Sequence, residues 1–270
     1  MFLSSFLFLF LGGIVAGTVG GMLGLGGGVF LVPFLVLVMS LPMHQAIATS
    51  LVAVIATSSA GAAMNIERQT VNLRLGMLLE IATVLGAILG GVTANYLSGD
   101  VLQKTFSAVM FIVAVLMVRR AQQRKQENHV FLDGWLPGSF HDGATGETVM
   151  YTVKRTPALM AVSLVAGNLS GLLGVGGGFF KVPAMHIIAG IPMKAATATS
   201  NFMIGVTAAA SAFIYFSHGH LNPPVAASAA LGVLCGSYFG VQINRRINGE
   251  LLTWIFALLL LAISIQMYLR

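Results

Sequence analysis

Two glycine tracts, offset by 150 residues, carry the most specific chemistry in this chain. The first reads Gly21, Gly24, Gly26, Gly27, Gly28, then Val32 and Pro33; the second reads Gly171, Gly174, Gly176, Gly177, Gly178, then Val182 and Pro183. Three adjacent glycines cost a helix about 1 kcal/mol each relative to alanine, so a helix should break at each tract. In an apolar setting the break exposes N–H and C=O groups that only protein, water or a ligand can satisfy. The half-helix that follows starts with unpaired N–H groups and the positive end of its dipole, which favours a negative ligand. No Gly-Lys-Ser or Gly-Lys-Thr follows either tract, which argues against a nucleotide loop. Close helix packing by small residues is the competing reading.

A second polar cluster follows each tract: Ala48, Thr49, Ser50 and Ala198, Thr199, Ser200, Asn201. Hydroxyl and amide donors suit an oxyanion without fixed charge; bonds back to the helix backbone are the alternative. Asn201 stands opposite Leu51, so such a site would be asymmetric. Lys181, three residues past the second triple glycine, occupies the place of Leu31. It either pairs an anion or snorkels to the membrane surface. Glu80 lies several residues into an apolar run and opposite Ala230. An acid there is a candidate for proton coupling, and with Arg74 six residues before it a membrane-edge position is the bland alternative. Met43 with His44 and Met185 with His186 do not make a metal site, since adjacent helical residues diverge and no thiol or carboxylate cluster supports them. His218 and His220 read as solvated loop residues before Pro223. Cys235, the only cysteine, permits no intramolecular disulfide and reads as a small core residue.

The elements that must hold these residues are membrane helices. Hydrophobic residues make up 57% and charged residues 8% of the chain, where a soluble globule has about a quarter charged. Apolar stretches of span length recur near residues 2–22, 46–63, 75–97, 102–118, 157–173, 195–216, 224–243 and 251–269. They do not alternate as barrel strands would, so the fold is an all-α integral membrane protein. The first stretch lacks a basic residue ahead of it and reads as a mature span, not a secretory signal.

At the 150-residue offset, residues 11–120 align with 161–270 without a gap, and 21 of 48 positions in 15–62 are identical. This is an internal duplication. Residues 1–120 form one transmembrane repeat, 121–156 a cytoplasmic connector and 157–270 the second repeat. Each holds about four full spans plus a short glycine-broken, re-entrant half-helix. If the half-helix crosses, each repeat makes five passages and the repeats are inverted; if not, they run parallel. The inverted arrangement puts 11 basic residues inside and 2 outside, against 9 and 4 for the parallel one, so the positive-inside rule favours inversion. The net charge of +6 sits at helix ends, a pattern of orientation and not of nucleic-acid binding.

The doubled Gly-x-x-Gly-x-Gly-Gly-Gly with its trailing Val-Pro, followed by Ala-x-Ala-Thr-Ser, resembles the sulfite exporter TauE/SafE family of membrane permeases, over roughly 220 of 270 residues. The resemblance implies a permease of the bacterial inner membrane that exports sulfite, organosulfonates or related small oxyanions. The expected function is a secondary transporter with alternating access. Its anion-binding residues would be Gly26, Gly27, Gly28, Thr49, Ser50, Gly176, Gly177, Gly178, Lys181, Thr199, Ser200 and Asn201, with Glu80 coupling transport to protons. A passive anion channel is the alternative. No ATP-binding motif and no cofactor motif is present, and no paired acid or nucleophile with base supports an enzyme. The expected partners are a small anion, protons and the lipid bilayer, with a homo-oligomer left open.

Overall fold

The computed structural model describes residues 2–23, 27–122, 136–142, 147–244 and 249–269. Gly26 lies outside the described residues, as do Arg124, Lys125, Arg245, Arg246 and Arg270. Helix α1 (Phe2–Leu23) leads to a short α2 (Gly28–Pro33), which continues as a wider π-helical turn, Phe34–Val38. Then follow α3 (Met43–Glu67), α4 (Leu73–Tyr96) and α5 (Gly99–Gln122). A hairpin of β1 (Leu136–Asp142) and β2 (Glu147–Val153) precedes α6 (Thr156–Leu173), α7 (Gly178–Ile187), α8 (Met193–Ser217), α9 (Pro223–Asn244) and α10 (Gly249–Leu269). The bounds of α3 and α8 differ by 150 at both ends, and each of the other helices in the first half has a counterpart at or near that offset.

Contacts follow the same correspondence. Helix α1 packs along α9, and α4 packs along α6. Glycines every four residues make these contacts possible, because a stripe without side chains lets two backbones approach. A β-carbon on Gly13, Gly17 or Gly21 would meet Ala229, Val233 or Ser237, and one on Gly167 or Gly171 would meet Thr83 or Ala87. In return, Gly236 faces Ile14 and Gly86 faces Leu164. Replacing Gly236 with valine would drive a β-carbon into the Ile14 carbonyl and to 2.8 Å from the Thr18 nitrogen, both backbone atoms that cannot turn aside. Such overpacking should cost about 1–3 kcal/mol, read as a lower melting temperature in detergent; unchanged melting would show that α1 and α9 separate freely.

Corresponding helices that meet each other run antiparallel. Gly205 of α8 lies against Ser58 of α3 while Gly61 lies against Asn201, so one helix retreats as the other advances. Between α5 and α10, Gln103 Nε2 donates to the Met267 carbonyl (2.8 Å), and Ser107 and Ser264 each donate to the other's carbonyl (2.5 and 2.9 Å). These registers are also antiparallel.

The outer surface is apolar. Met77, Ile81, Leu85 and Leu89 form an exposed stripe with a four-residue repeat on α4, and Leu258 and Ile265, seven residues apart, are exposed on α10. Cys235 is exposed as well. The expectation of a core cysteine fails because Gly232, Gly236 and Gly240 take the packed face of α9.

The hairpin is the element that the charge-based reading of the connector overlooked. Its strands alternate in exposure, and Phe140, Tyr151 and Val153 are buried in one apolar cluster with Leu75 and Leu79 of α4, Leu159 of α6, Met185 of α7 and Met203 of α8. Asn72 ties it down: its side-chain N–H donates to the Tyr151 hydroxyl (3.2 Å), and its side-chain oxygen caps α4 by accepting from Leu75 N (3.1 Å). Burial pushes the Tyr151 phenol above its ordinary value, against the lowering effect of the Asn72 bond. The hairpin thereby covers the ends of α4, α7 and α8.

Candidate functional site

Both helix breaks form where the glycines predict them. Gly27 has φ 74° and starts α2; Gly177 has φ 66° and starts α7. Gly174 (φ 73°) ends α6, and Gly176 (φ 80°) lies between the two helices. Left-handed backbone of this kind suits glycine because it lacks a β-carbon. The first helical bonds reach back to the Gly27 and Gly177 carbonyls from Phe30, Leu31, Phe180 and Lys181. The N–H groups of Gly28 and Gly178 precede those bonds, as the first turn of any helix requires.

The two breaks touch. A β-carbon on Gly28 would lie 2.8 Å from the Gly174 carbonyl and 2.7 Å from both Ser50 Oγ and Val54. Ser50 bridges the halves, donating to the Gly174 carbonyl (2.8 Å) and, more weakly, to that of Gly28 (3.4 Å). Gly176 and Gly178 pack on Ile204 of α8. All these glycines are buried. Beside them, a void of about 10 Å³ is bounded by Ser170, Leu173, Val175 and Gly177 among others, room for one water. The breaks are therefore closed in this state.

The hydroxyl cluster divides. Thr49 Oγ1, Ser170 Oγ and Ser200 Oγ are buried with no hydrogen-bond partner, and Ser200 Oγ would lie 3.4 Å from a β-carbon on Gly178. A buried hydroxyl without a protein partner is costly unless water or a ligand satisfies it. Thr199 serves the fold, its Oγ1 accepting from Asn72 N (3.0 Å). Asn201 is half-buried and faces Gly61 of α3, away from the triple glycine.

Lys181 and Glu80 meet, which their positions 101 residues apart do not suggest. Lys181 is 1% exposed and does not snorkel: its Nζ donates to Thr207 Oγ1 at 3.0 Å. Thr207 in turn lies 2.8 Å from Glu80 Oε1, to which it can donate. Glu80 is 8% exposed, and its Oε2 is buried without a partner. Three elements build this group: α7 just past its glycine start, α8, and α4 of the first half. Thr207 is the residue that the sequence reading missed. Its signal was present, since Thr207 and its counterpart Thr57 are both threonine. At the 150-residue offset the equivalent places hold Leu31 and Thr57 in the first half and Ala230 in the second, so this part of the site carries charge once only. Further along α8, Ser211 donates weakly to the Ala87 carbonyl (3.5 Å) and Tyr215 to that of Gly171 (3.1 Å), extending the polar face toward α4 and α6.

Four histidines lie at the helix ends. His186 Nδ1 bonds the Ile191 carbonyl (2.9 Å) and His44 Nε2 that of Ala94 (3.0 Å). His220 stacks on His44 with ring centroids 4.8 Å apart, and His218 and Tyr215 lie at 6.5 and 6.2 Å. The loop histidines are thus a ring cluster and not merely solvated. Burial, then the neighbouring His44 and His218, push the His220 pKa below its ordinary 6.5. Because the folded state resists protonation, this contribution to stability is present above pH 6.5 and is lost as pH falls through the lower folded value. Melting temperature should accordingly drop on acidification from about pH 7 to 5, and His220→Gln should flatten that drop; a variant with the parent's pH dependence would place the sensitivity elsewhere.

Five helices, Met43–Glu67, Leu73–Tyr96, Gly99–Val118, Thr156–Leu173 and Met193–Ser217, are long and apolar enough to cross a bilayer among the described residues. The chain is 28% identical over 270 residues to the probable membrane transporter protein YunE of Bacillus subtilis, covering 97% of each protein. It is 28% identical over 263 residues to a probable membrane transporter protein of Xylella fastidiosa (96% and 93% covered) and 22% identical over 251 residues to the probable membrane transporter protein MJ0441 of Methanocaldococcus jannaschii (87% and 85% covered). No solved structure matches it. The profile of the sulfite exporter TauE/SafE family matches residues 9–267. With its apolar outer surface and broken half-helices, this multi-pass membrane protein belongs to the sulfite exporter TauE/SafE family.

Proposed function

We propose that the protein is a secondary transporter of the bacterial inner membrane that moves small sulfur-containing oxyanions, such as sulfite or organosulfonates, outward by alternating access. The observation that carries this reading is Lys181, a buried cation one turn past a glycine break, bonded to the Thr207 hydroxyl. A fixed charge in lipid surroundings is retained where it serves a pathway. The anion would sit between the α2 and α7 starts, with Gly27, Gly28, Gly177 and Gly178 giving close backbone approach and Thr49, Ser170 and Ser200 donating. Glu80 would take the coupling proton. Sulfur chemistry and outward direction rest on the family's name. The burial of Gly27, Gly28, Gly174, Gly176, Gly177 and Gly178 is consistent with alternating access, in which an anion enters only after the halves move.

Residues 1–120 and 157–270 would be inverted repeats joined by the cytoplasmic segment 121–156. Support comes from the antiparallel meeting of α3 with α8 and of α5 with α10, corresponding helices in each case. Gln69 and Gly219 are corresponding turn residues, both exposed. With Cys235 replaced, Gln69→Cys should label only from the cytoplasm and Gly219→Cys only from outside; labelling of both from one side defeats inversion.

The function is tested by flux into proteoliposomes of sulfite, sulfoacetate, taurine, sulfate and acetate, with and without a pH gradient. Saturable counterflow of a sulfur oxyanion is expected. Currents far above carrier turnover would instead establish a channel, and no flux of any sulfur compound would overturn the reading.

A further inference from the structure

Lys181 and Glu80 come from different halves of the chain, and both are buried. Thr207 links them, its oxygen accepting from Lys181 Nζ and its single proton lying within reach of two acceptors, Glu80 Oε1 (2.8 Å) and the Met203 carbonyl (2.9 Å). Glu80 Oε2 has no partner. Among the described side chains, the other charged or titratable groups near the site have other partners or are exposed, as is Lys194 at the start of α8. Arg74, on Glu80's own helix, is exposed; His186 of α7 bonds the Ile191 carbonyl; Tyr151 of the hairpin accepts from Asn72; and Tyr215, two turns along α8, bonds the Gly171 carbonyl. On α6, Ser163 and Gly167 bring no charge toward α4.

With both groups ionised the buried pair is neutral. An anion that takes Lys181 as its counter-charge would leave Glu80 as an unpaired buried carboxylate, which is strongly unfavourable. One proton on Glu80 restores neutrality, and Oε2 is the open position for it. Thr207 can then turn its own proton to the Met203 carbonyl while its oxygen keeps its bond to Lys181. The internal repeat offers no second copy of this exchange, since Leu31 corresponds to Lys181 and Ala230 to Glu80. We infer that Lys181, Thr207 and Glu80 form a charge-exchange site that takes up one monovalent oxyanion together with one proton, making transport electroneutral and selecting hydrogensulfite or sulfonate over the sulfate dianion. This rests on the anion-transport reading above and adds its stoichiometry and charge selectivity. The only bond made and broken is the O–H bond on Glu80: a proton from the aqueous phase binds the carboxylate and leaves it again when the anion departs.

The test uses the full chain in proteoliposomes with the membrane potential clamped by a potassium ionophore. The probes are methanesulfonate, a monoanion at every pH used, hydrogensulfite at pH 6, and sulfate. Uptake of the monoanions should follow an imposed pH gradient, ignore an imposed potential and carry one proton per anion, with sulfate uptake lower by about tenfold or more. Glu80→Gln should uncouple the pH gradient and make the residual flux follow the potential, because the anion then crosses paired with Lys181 and without a proton, so that each cycle moves one net charge. Thr207→Val should weaken the coupling of flux to pH while leaving some saturable uptake. Monoanion uptake by the parent that is driven by potential and indifferent to pH, or sulfate carried as well as methanesulfonate, overturns the charge exchange and leaves the transporter standing. Absence of uptake for all sulfur oxyanions overturns the transport reading itself. The measurements on the parent protein decide between these outcomes even if a variant fails to fold.

Discussion

Leucine at Gly177 should abolish anion flux, lowering it by about a hundredfold or more, while the protein still inserts in the membrane. Two costs combine at this position. The backbone is left-handed (φ 66°), which disfavours any L-residue by about 1–2 kcal/mol. A β-carbon would also lie 2.7 Å from the Ala166 carbonyl and 3.3 Å from Ser170, so α6 and α7 would be forced apart at the break proposed to receive the anion. Gly27 is the corresponding position, with φ 74° and Val233 at 2.8 Å. A control separates the two costs. Gly219 has φ 73° with nothing within 4 Å of a β-carbon, so Gly219→Leu imposes the backbone penalty alone. Counterflow in proteoliposomes and melting in detergent should show Gly177→Leu inactive and Gly219→Leu active at comparable expression. Equal transport by the two would remove the glycine break from the anion's path.

Lys181→Met should be the most destabilising single change in the site. It strips the buried Glu80 of its cationic neighbour and leaves Thr207 without the donor that its oxygen now receives. Breaking a buried charge pair from one side costs about 3–5 kcal/mol, because the surviving charge is neither hydrated nor paired. The double variant Lys181→Met/Glu80→Gln removes both charges and should recover much of that loss. It should not recover saturable anion uptake, since the cation is gone. A melting series over the four proteins, with flux measured on each, checks both halves. Additive destabilisation in the double variant would mean that the two side chains do not sense each other, and restored uptake would take Lys181 out of the anion site.

Much of the architecture was legible before any fold was considered. Spans near 46–63, 75–97 and 195–216 became α3, α4 and α8, because an apolar run of that length has one stable form in lipid. The helix starts at Gly27 and Gly177 follow as directly, since adjacent glycines have little helical preference and suit left-handed backbone. The hairpin was not legible from charge. Its inward residues, Phe140, Tyr151 and Val153, are spread through a polar connector, and their burial depends on Leu75, Met185 and Met203 arriving from three other elements.

The site separates along the same line. Thr49, Ser50, Thr199, Ser200 and Asn201 form one sequence cluster repeated once, yet packing gives them different work: Ser50 ties the two breaks together, Thr199 holds the turn before α4, Asn201 faces α3, and Thr49 and Ser200 keep free hydroxyls. Sequence alone determined that this chain is a membrane protein whose two glycine tracts break helices, because composition and backbone preference are local properties that act on each segment independently. The meeting of Lys181 with Glu80 through Thr207 was decided only by tertiary structure, because a buried charge acquires its meaning from the partner that packing brings to it across the chain.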